Sequence, residues 1–177
     1  MKYCIECGTK LIGKEMEREG IVPYCSTCKA YRFPNFNVAV SIIAMNQQED
    51  KILLIKQYGM KEFILVAGYV NKGETAEHAV VRELQEETGL KVIEIQYNRS
   101  RYYEPSNTLM LNYSCIVKDE ILDVLTDEVD YAEWFAIEDA KNNIKKNSLA
   151  QKFMEEFIKK KDAQVKKMNW NEWFLKI

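Results

Sequence analysis

Residues 68–90 read GYVNKGETAEHAVVRELQEETGL. The middle of this stretch predicts a helix over Thr75–Thr88, with Ala76, Ala79, Val80 and Leu84 as its apolar stripe. Gly89 is well suited to follow the last turn, where a left-handed residue is needed. Glu83, Glu86 and Glu87 stand three and four residues apart, so they share one helical face. Three like charges there cost a bare helix a few tenths of a kcal/mol per pair. Two readings fit. The glutamates are a solvated acidic face, or they are neutralised by divalent cations, and oxygen-only ligands suit Mg²⁺ or Mn²⁺.

Around this helix the chain predicts strands. Residues 36–45 (FNVAVSIIAM) and 51–57 (KILLIKQ) form a β-rich hairpin about the polar turn 46–50. Residues 63–66 read as a short third strand and 67–74 as a glycine-containing loop. Two long strands follow at 91–103 and 108–118, then an acidic loop at 119–130 and a strand at 131–137. Residues 138–161 hold one or two helices, with Leu149, Phe153, Phe157 and Ile158 at helical spacing. The tail 162–177 carries Val165, Met168, Trp170, Trp173, Phe174 and Ile177, an amphipathic segment expected to dock on an apolar surface. Strands interleaved with helices predict an α/β layer structure. The domain expectation is 1–33, 34–161 and the tail 162–177.

Four of the five cysteines form Cys4-x-x-Cys7 and Cys25-x-x-Cys28. Two such pairs at this separation predict a four-thiolate Zn²⁺ site, closed and therefore structural, with one Zn²⁺ per chain. Two disulfides are the bland alternative, disfavoured in a reducing compartment. A segment of this size cannot build its own core, so a metal would replace the missing burial. Cys115 lies in an alternating apolar run and is expected to be a buried strand residue.

The 177 residues are 47% apolar and 29% charged, with a net charge of −2 and only 7 Gly and 3 Pro. This is a globular composition, and no global field draws the chain to polyanions. The longest apolar run, Val38 to Met45, is interrupted by Ser41 and far short of a membrane span. The first residues lack the apolar stretch of a signal peptide, so a cytoplasmic location with no membrane partner is expected.

The string 68–90 also has the form G-x5-E-x7-R-E-U-x-E-E-x-G-U, with Leu84 and Leu90 at the aliphatic positions. It resembles the signature of the Nudix hydrolases at every defined position. With a four-cysteine module ahead of it, the chain is similar to the zinc-ribbon NADH pyrophosphatase branch. The resemblance implies a Nudix α/β/α sandwich with a mixed sheet, preceded by a small N-terminal zinc ribbon, and a homodimer. It implies that Glu83, Glu86 and Glu87 are catalytic carboxylates binding two to three Mg²⁺ or Mn²⁺, with the Ala67 carbonyl completing one site. The segment Glu128-Val129-Asp130-Tyr131-Ala132-Glu133-Trp134-Phe135 is similar to a further family pattern and points to Glu128 as an extra ligand or base, although Tyr131 departs from the second acid. Glu74 and Arg82 are implied to be a structural ion pair. His78, the only histidine, reads as an exposed residue of the first helical turn.

Substrate contacts implied by the resemblance are Phe33, Tyr69, Tyr103, Thr108 and Ala150, and Arg101, in a stretch that departs from the family, is expected to meet a phosphate. Here the chain departs from its branch: residues 100–110 read SRYYEPSNTLM where the family carries a proline-rich loop, and Tyr103 replaces a tryptophan. The implied substrate is therefore a nucleoside diphosphate linked to another group, with NAD(H) first and ADP-ribose second. A non-catalytic nucleotide sensor is a different class of reading. RNA, through NAD-capped ends, is a further candidate, but the lysines of the cysteine module are offset by Glu6, Glu15, Glu17 and Glu19.

Overall fold

The computed structural model describes residues 1–123 and 126–174, with side chains described up to residue 163. The chain divides into two compact units at Phe36/Asn37.

The first unit is a three-stranded antiparallel sheet, β1 (Ile12–Met16), β2 (Gly20–Cys25) and β3 (Ala30–Tyr31). Its buried apolar residues are Cys4, Val22 and Cys25, while Tyr3, Ile5, Ile12 and Ile21 lie exposed. So little burial cannot order a chain by itself.

The second unit is built on a mixed sheet of order β7-β8-β4-β5-β9, with β6 also pairing β4. The strands are β4 (Asn37–Met45), β5 (Lys51–Gln57), β6 (Val66–Tyr69), β7 (Val92–Tyr103), β8 (Thr108–Val117) and β9 (Val129–Ala136). The central strand β4 runs parallel to β8 and antiparallel to β5 and β6. Alternate residues feed two cores. Val40, Ile42, Ala44, Leu53 and Ile55 meet Ala79, Val80 and Leu84 of α1 (Ala76–Thr88). Ile43, Met45, Ile52 and Leu54 meet Ala140 of α2 (Ile137–Asn143) and Phe153, Met154 and Ile158 of α3 (Leu149–Phe174). This two-residue alternation makes the strands read as continuously apolar, because both faces are covered. The result is an α/β/α sandwich.

Two expectations need correction. Within the stretch 63–66, Phe63 and Ile64 make only isolated bridges, to Ile144 and Ile55, and the strand is Val66–Tyr69, which starts at the last residue of that stretch and runs into what read as loop 67–74. The glycine at 68 suggested a turn, but its backbone pairs with Val40. Residues 162–174 continue the backbone of α3, and the side chains of the tail from Val165 onward, including the expected docking face, lie outside the described residues.

Among the described residues no helix is long and apolar enough to cross a membrane.

Candidate functional site

Helix α1 begins at Thr75, whose side chain accepts a hydrogen bond from the His78 backbone N–H at 3.2 Å, and ends at Gly89 in the left-handed conformation (φ 72°). These caps set the phase of the helix. Ala79, Val80, Leu84 and Thr88 turn inward, and so does Glu87, which is 3% exposed. Glu83 is largely covered and Glu86 is exposed. The acidic face is thus a ridge that dips into the protein at Glu87.

Glu83, Glu86, Glu87 and Glu128 all line one cleft of about 520 Å³. Ala67, Gly68 and Tyr69 of β6 form part of its wall, together with Gln57, Tyr58, Thr108 and Thr126. Glu87 Oε1 accepts a hydrogen bond from Gln57 Nε2 at 3.1 Å, while Oε2 is buried without a partner. Burial first, then the neighbouring Glu83 and Glu128 carboxylates, push the Glu87 carboxyl up to about 8. Burial likewise raises Glu83 against the opposing pull of Arg82. Glu128 sits in the turn ahead of β9 and raises the phenol of Tyr58 through a side-chain hydrogen bond.

Arg82 organises the rim. Its Nε and Nη2 meet both oxygens of Glu74 at 2.8 and 3.0 Å. Nη2 also donates to the Tyr69 carbonyl at 2.9 Å, and Nη1 reaches Glu83 at 2.7 Å and Glu86 at 3.1 Å. Glu74 in turn accepts the Asn71 N–H, and Arg82 beside it holds its carboxyl well below the usual carboxylate range. A bidentate guanidinium–carboxylate pair is rigid, so the helix and the loop 70–74 are tied as one piece.

Gly68 has a separate role. A Cβ there would lie 1.9 Å from the Glu83 carboxylate. Gly68→Ala is expected to displace Glu83 from the cleft while β6 keeps its pairing. The expected result is a loss of at least tenfold in Mn²⁺ affinity with an unchanged far-ultraviolet circular dichroism spectrum, read by titration and spectroscopy.

The cation fit follows from the donors. They are oxygens only, one buried carboxylate oxygen lacks any partner, and burial together with the neighbouring carboxylates raises Glu87. Hard divalent ions of the Mg²⁺ or Mn²⁺ kind meet that need. A second consequence concerns pH. An acid raised from 4.5 to about 8 on folding keeps its proton longer in the folded chain than in the unfolded one. Metal-free protein should therefore be insensitive to this group below about pH 4.5, lose on the order of a few kcal/mol as pH rises towards 8, and then level off. Thermal melts in chelator across that range test the sign. Excess Mg²⁺ should restore more stability at pH 8 than at pH 5.

The residues implied as substrate contacts fall into different places. Tyr69 is exposed on the cleft, while Thr108 lines it but is buried, its hydroxyl bonded to the Ser106 carbonyl at 2.9 Å. Arg101 and Tyr103 line a second cleft of about 630 Å³ with Lys145, Lys146 and Lys152, and among the described residues no acidic one lines it. Arg101 is already paired with Glu156 of α3, which Arg99 shares. Ala150 lies in the first turn of α3 against the second core. Phe33 belongs to the first unit and is half-exposed. Gln57, Tyr58 and Thr126 were not foreseen at the acidic cleft, and no local pattern marks them.

In the first unit, the sulfurs of Cys4, Cys7, Cys25 and Cys28 lie within 4.8 Å of one another. None is disulfide-bonded, and Cys7 and Cys25 stand at 3.4 Å. The Cys28 N–H donates to Cys25 Sγ at 3.3 Å, and Gly8 takes the left-handed turn (φ 71°) after the first pair. Arg32 donates to Cys4 Sγ at 3.3 Å and pulls that thiol down to about 6. Four convergent thiols, one of them held towards the thiolate, can bind one metal ion. Cys115 is buried in β8, where burial raises its thiol.

A mixed-sheet sandwich carrying a capped carboxylate helix over an acidic cleft defines a Nudix-type domain. The NUDIX domain family model matches residues 35–157, and the chain belongs to the Nudix hydrolase family. It is 30% identical over 140 residues to the NAD-capped RNA hydrolase NudC of Pseudomonas aeruginosa, covering 77% of this chain and 48% of that protein. It is 31% identical over 149 residues to the chloroplastic Nudix hydrolase 19 of Arabidopsis thaliana, covering 79% and 33% respectively. The chain thus spans half or less of these relatives. Among solved structures, a NUDIX hydrolase from Nitrosomonas europaea superposes with a TM-score of 0.60 at 22% identity, over 88% of this chain and 92% of that one. The NUDIX domain of Shewanella oneidensis NrtR, complexed with ADP ribose, gives 0.62 at 14% identity, over 77% and 93%. Both share the fold.

Proposed function

We propose that this chain is a Mg²⁺- or Mn²⁺-dependent hydrolase that splits the diphosphate of a nucleoside diphosphate linked to another moiety, with NAD(H) first and ADP-ribose second. The observation that carries this is the buried, unpartnered Oε2 of Glu87 in a cleft lined by three further glutamates. Glu83, Glu86, Glu87 and Glu128 are assigned as the cation-holding carboxylates, with the Ala67 carbonyl, for two to three ions. When bound, the ions offset phosphate charge and lower the pKa of attacking water. The protein's own contribution is placement. Arg82 and Glu74 fix the loop that carries the Tyr69 carbonyl, and Glu86 and Glu128, at the solvent side, are placed to accept a proton. Tyr69 offers an exposed ring for stacking, worth about 1–3 kcal/mol per base. Cys4, Cys7, Cys25 and Cys28 are assigned to one structural Zn²⁺. A homodimer in the cytoplasm is the assembly and setting we propose.

The second cleft favours one extension of this reading. Lys145 and Lys152 have no carboxylate partner among the described residues, and Tyr102 and Tyr103 are exposed beside them. Cations with exposed rings suit the backbone and bases of a single strand, as an RNA attached to the dinucleotide would present.

The test is a hydrolysis screen with Mg²⁺ across NADH, NAD⁺, ADP-ribose, FAD, nucleoside triphosphates and NAD-capped RNA, with mononucleotide products read by chromatography. Chelator-sensitive turnover of a dinucleotide is expected. Binding of these nucleotides with turnover of none would favour a sensor instead.

A further inference from the structure

At the end of β5 the pairing with β9 slips. Lys56 opposes Tyr131 but Gln57 opposes Val129, so Asp130 is the extra residue. Tyr58 and Gly59 then both take left-handed angles, φ 53° and 70°. Such a pair of residues, one of them not glycine, persists only where the surroundings hold it. The holds are visible: the Tyr58 N–H donates to the Glu128 carbonyl at 3.3 Å, and the Gly59 N–H donates to Asp130 Oδ2 at 2.7 Å.

What this turn fixes is the side chain of Gln57. It is buried, it lines the acidic cleft, and its Nε2 donates to Glu87 Oε1. A carboxylate with one oxygen engaged has lost most of its rotational freedom, and the other oxygen remains available to a ligand. The donor's chemistry matters too. Arg82 already brings a positive charge to Glu83 and Glu86. A second cation at position 57 would compete directly with a metal for Glu87. An amide supplies the hydrogen bond without charge.

We propose that Gln57 is a positioning residue for Glu87: its neutral amide anchors Oε1 so that Oε2 is the oxygen offered to a divalent cation. This rests on the cation-dependent hydrolase reading. The sequence signature surrounding α1 does not include position 57, which lies 30 residues from Glu87.

Two variants test it. Gln57→Met keeps length and volume but has no donor; Gln57→Lys keeps a donor and adds charge. Mn²⁺ binding to the full chain, read by electron paramagnetic resonance without substrate, is expected to weaken by about 10–100-fold in Gln57→Met. It should weaken further in Gln57→Lys. With substrate, kcat should fall while KM stays within about twofold. Wild-type Mn²⁺ affinity in a folded Gln57→Met protein would overturn the inference and leave the hydrolase reading standing. If that variant does not fold, unchanged affinity in Gln57→Lys overturns it equally. If the wild-type chain binds Mn²⁺ no better than Glu87→Gln does, the hydrolase reading itself fails, and this inference with it.

Discussion

Glu87→Gln is expected to lose about a thousandfold or more in kcat, and at the same time to melt at a higher temperature than the wild type in chelator at pH 8. The two effects have one cause. Glu87 is a carboxylate buried among other carboxylates, and that surrounding raises it to about 8. In the metal-free protein its charge is a burden, because neither water nor a cation compensates it. An amide of the same shape removes the charge and keeps an acceptor for Gln57. The same change removes a charged ligand from the proposed cation site. A thousandfold loss corresponds to about 4 kcal/mol of transition-state stabilisation, within what one metal contact can supply. Steady-state kinetics at saturating Mg²⁺ and differential scanning calorimetry in chelator give the two readings. Near-normal turnover would sink the assignment of Glu87. Lower stability at pH 8 would show that its charge is satisfied in a way the burial and missing partner of Oε2 do not suggest.

What was legible in the sequence follows the range of the interactions. The α1 helix was readable because its signals are local: the stripe Ala79, Val80 and Leu84 and the stop at Gly89 all act within a few residues. The strands β4 and β5 were readable because both faces are buried and the residues are β-branched and aliphatic. Strand β6 was missed because Ala67-Gly68-Tyr69 has no strand composition. Its glycine is there for the Glu83 carboxylate, a contact made across space. Glu83, Glu86 and Glu87 stood out by helical spacing and Glu128 by a resemblance, and the fold sets all four on one cleft. Which of them is buried was not readable, because the depth of Glu87 depends on how α1 sits over the sheet. Gln57 and Tyr58 escaped for the same reason, since their partners are Glu87 and Glu128. Arg101 was expected to meet a phosphate. Its pairing with Glu156 of α3 is a long-range match that a degenerate loop sequence does not announce.

The second large effect lies in the first unit. Cys25→Ser is expected to abolish metal binding there and to leave residues 1–36 without stable structure. Val22 is the only buried apolar residue of this unit besides Cys4 and Cys25, and five large apolar residues, Met1, Tyr3, Ile5, Ile12 and Ile21, are exposed among its first 21 positions. Burying one valine contributes about 1.5–3 kcal/mol, whereas ordering each residue's backbone costs about 1–2 kcal/mol. Hydrogen bonds such as Tyr31 to the Glu15 carbonyl at 2.8 Å add only about 0.5–1.5 kcal/mol each, and the Arg32–Glu6 pair at 2.7 Å, an ion pair at a solvated surface, adds little. A structural Zn²⁺ in a small module supplies about 10–16 kcal/mol, which is the scale required. Of the four proposed ligands, Cys25 is the critical one to remove because it is fully buried and also accepts the Cys28 N–H. Elemental analysis should find one zinc per wild-type chain and none in the variant. Limited proteolysis should then cut the variant within residues 1–36 and leave the sandwich from Asn37 onward resistant. A Cys25→Ser protein that holds zinc at full stoichiometry, or resists protease in this segment as the wild type does, would show that something other than a four-thiolate metal orders it.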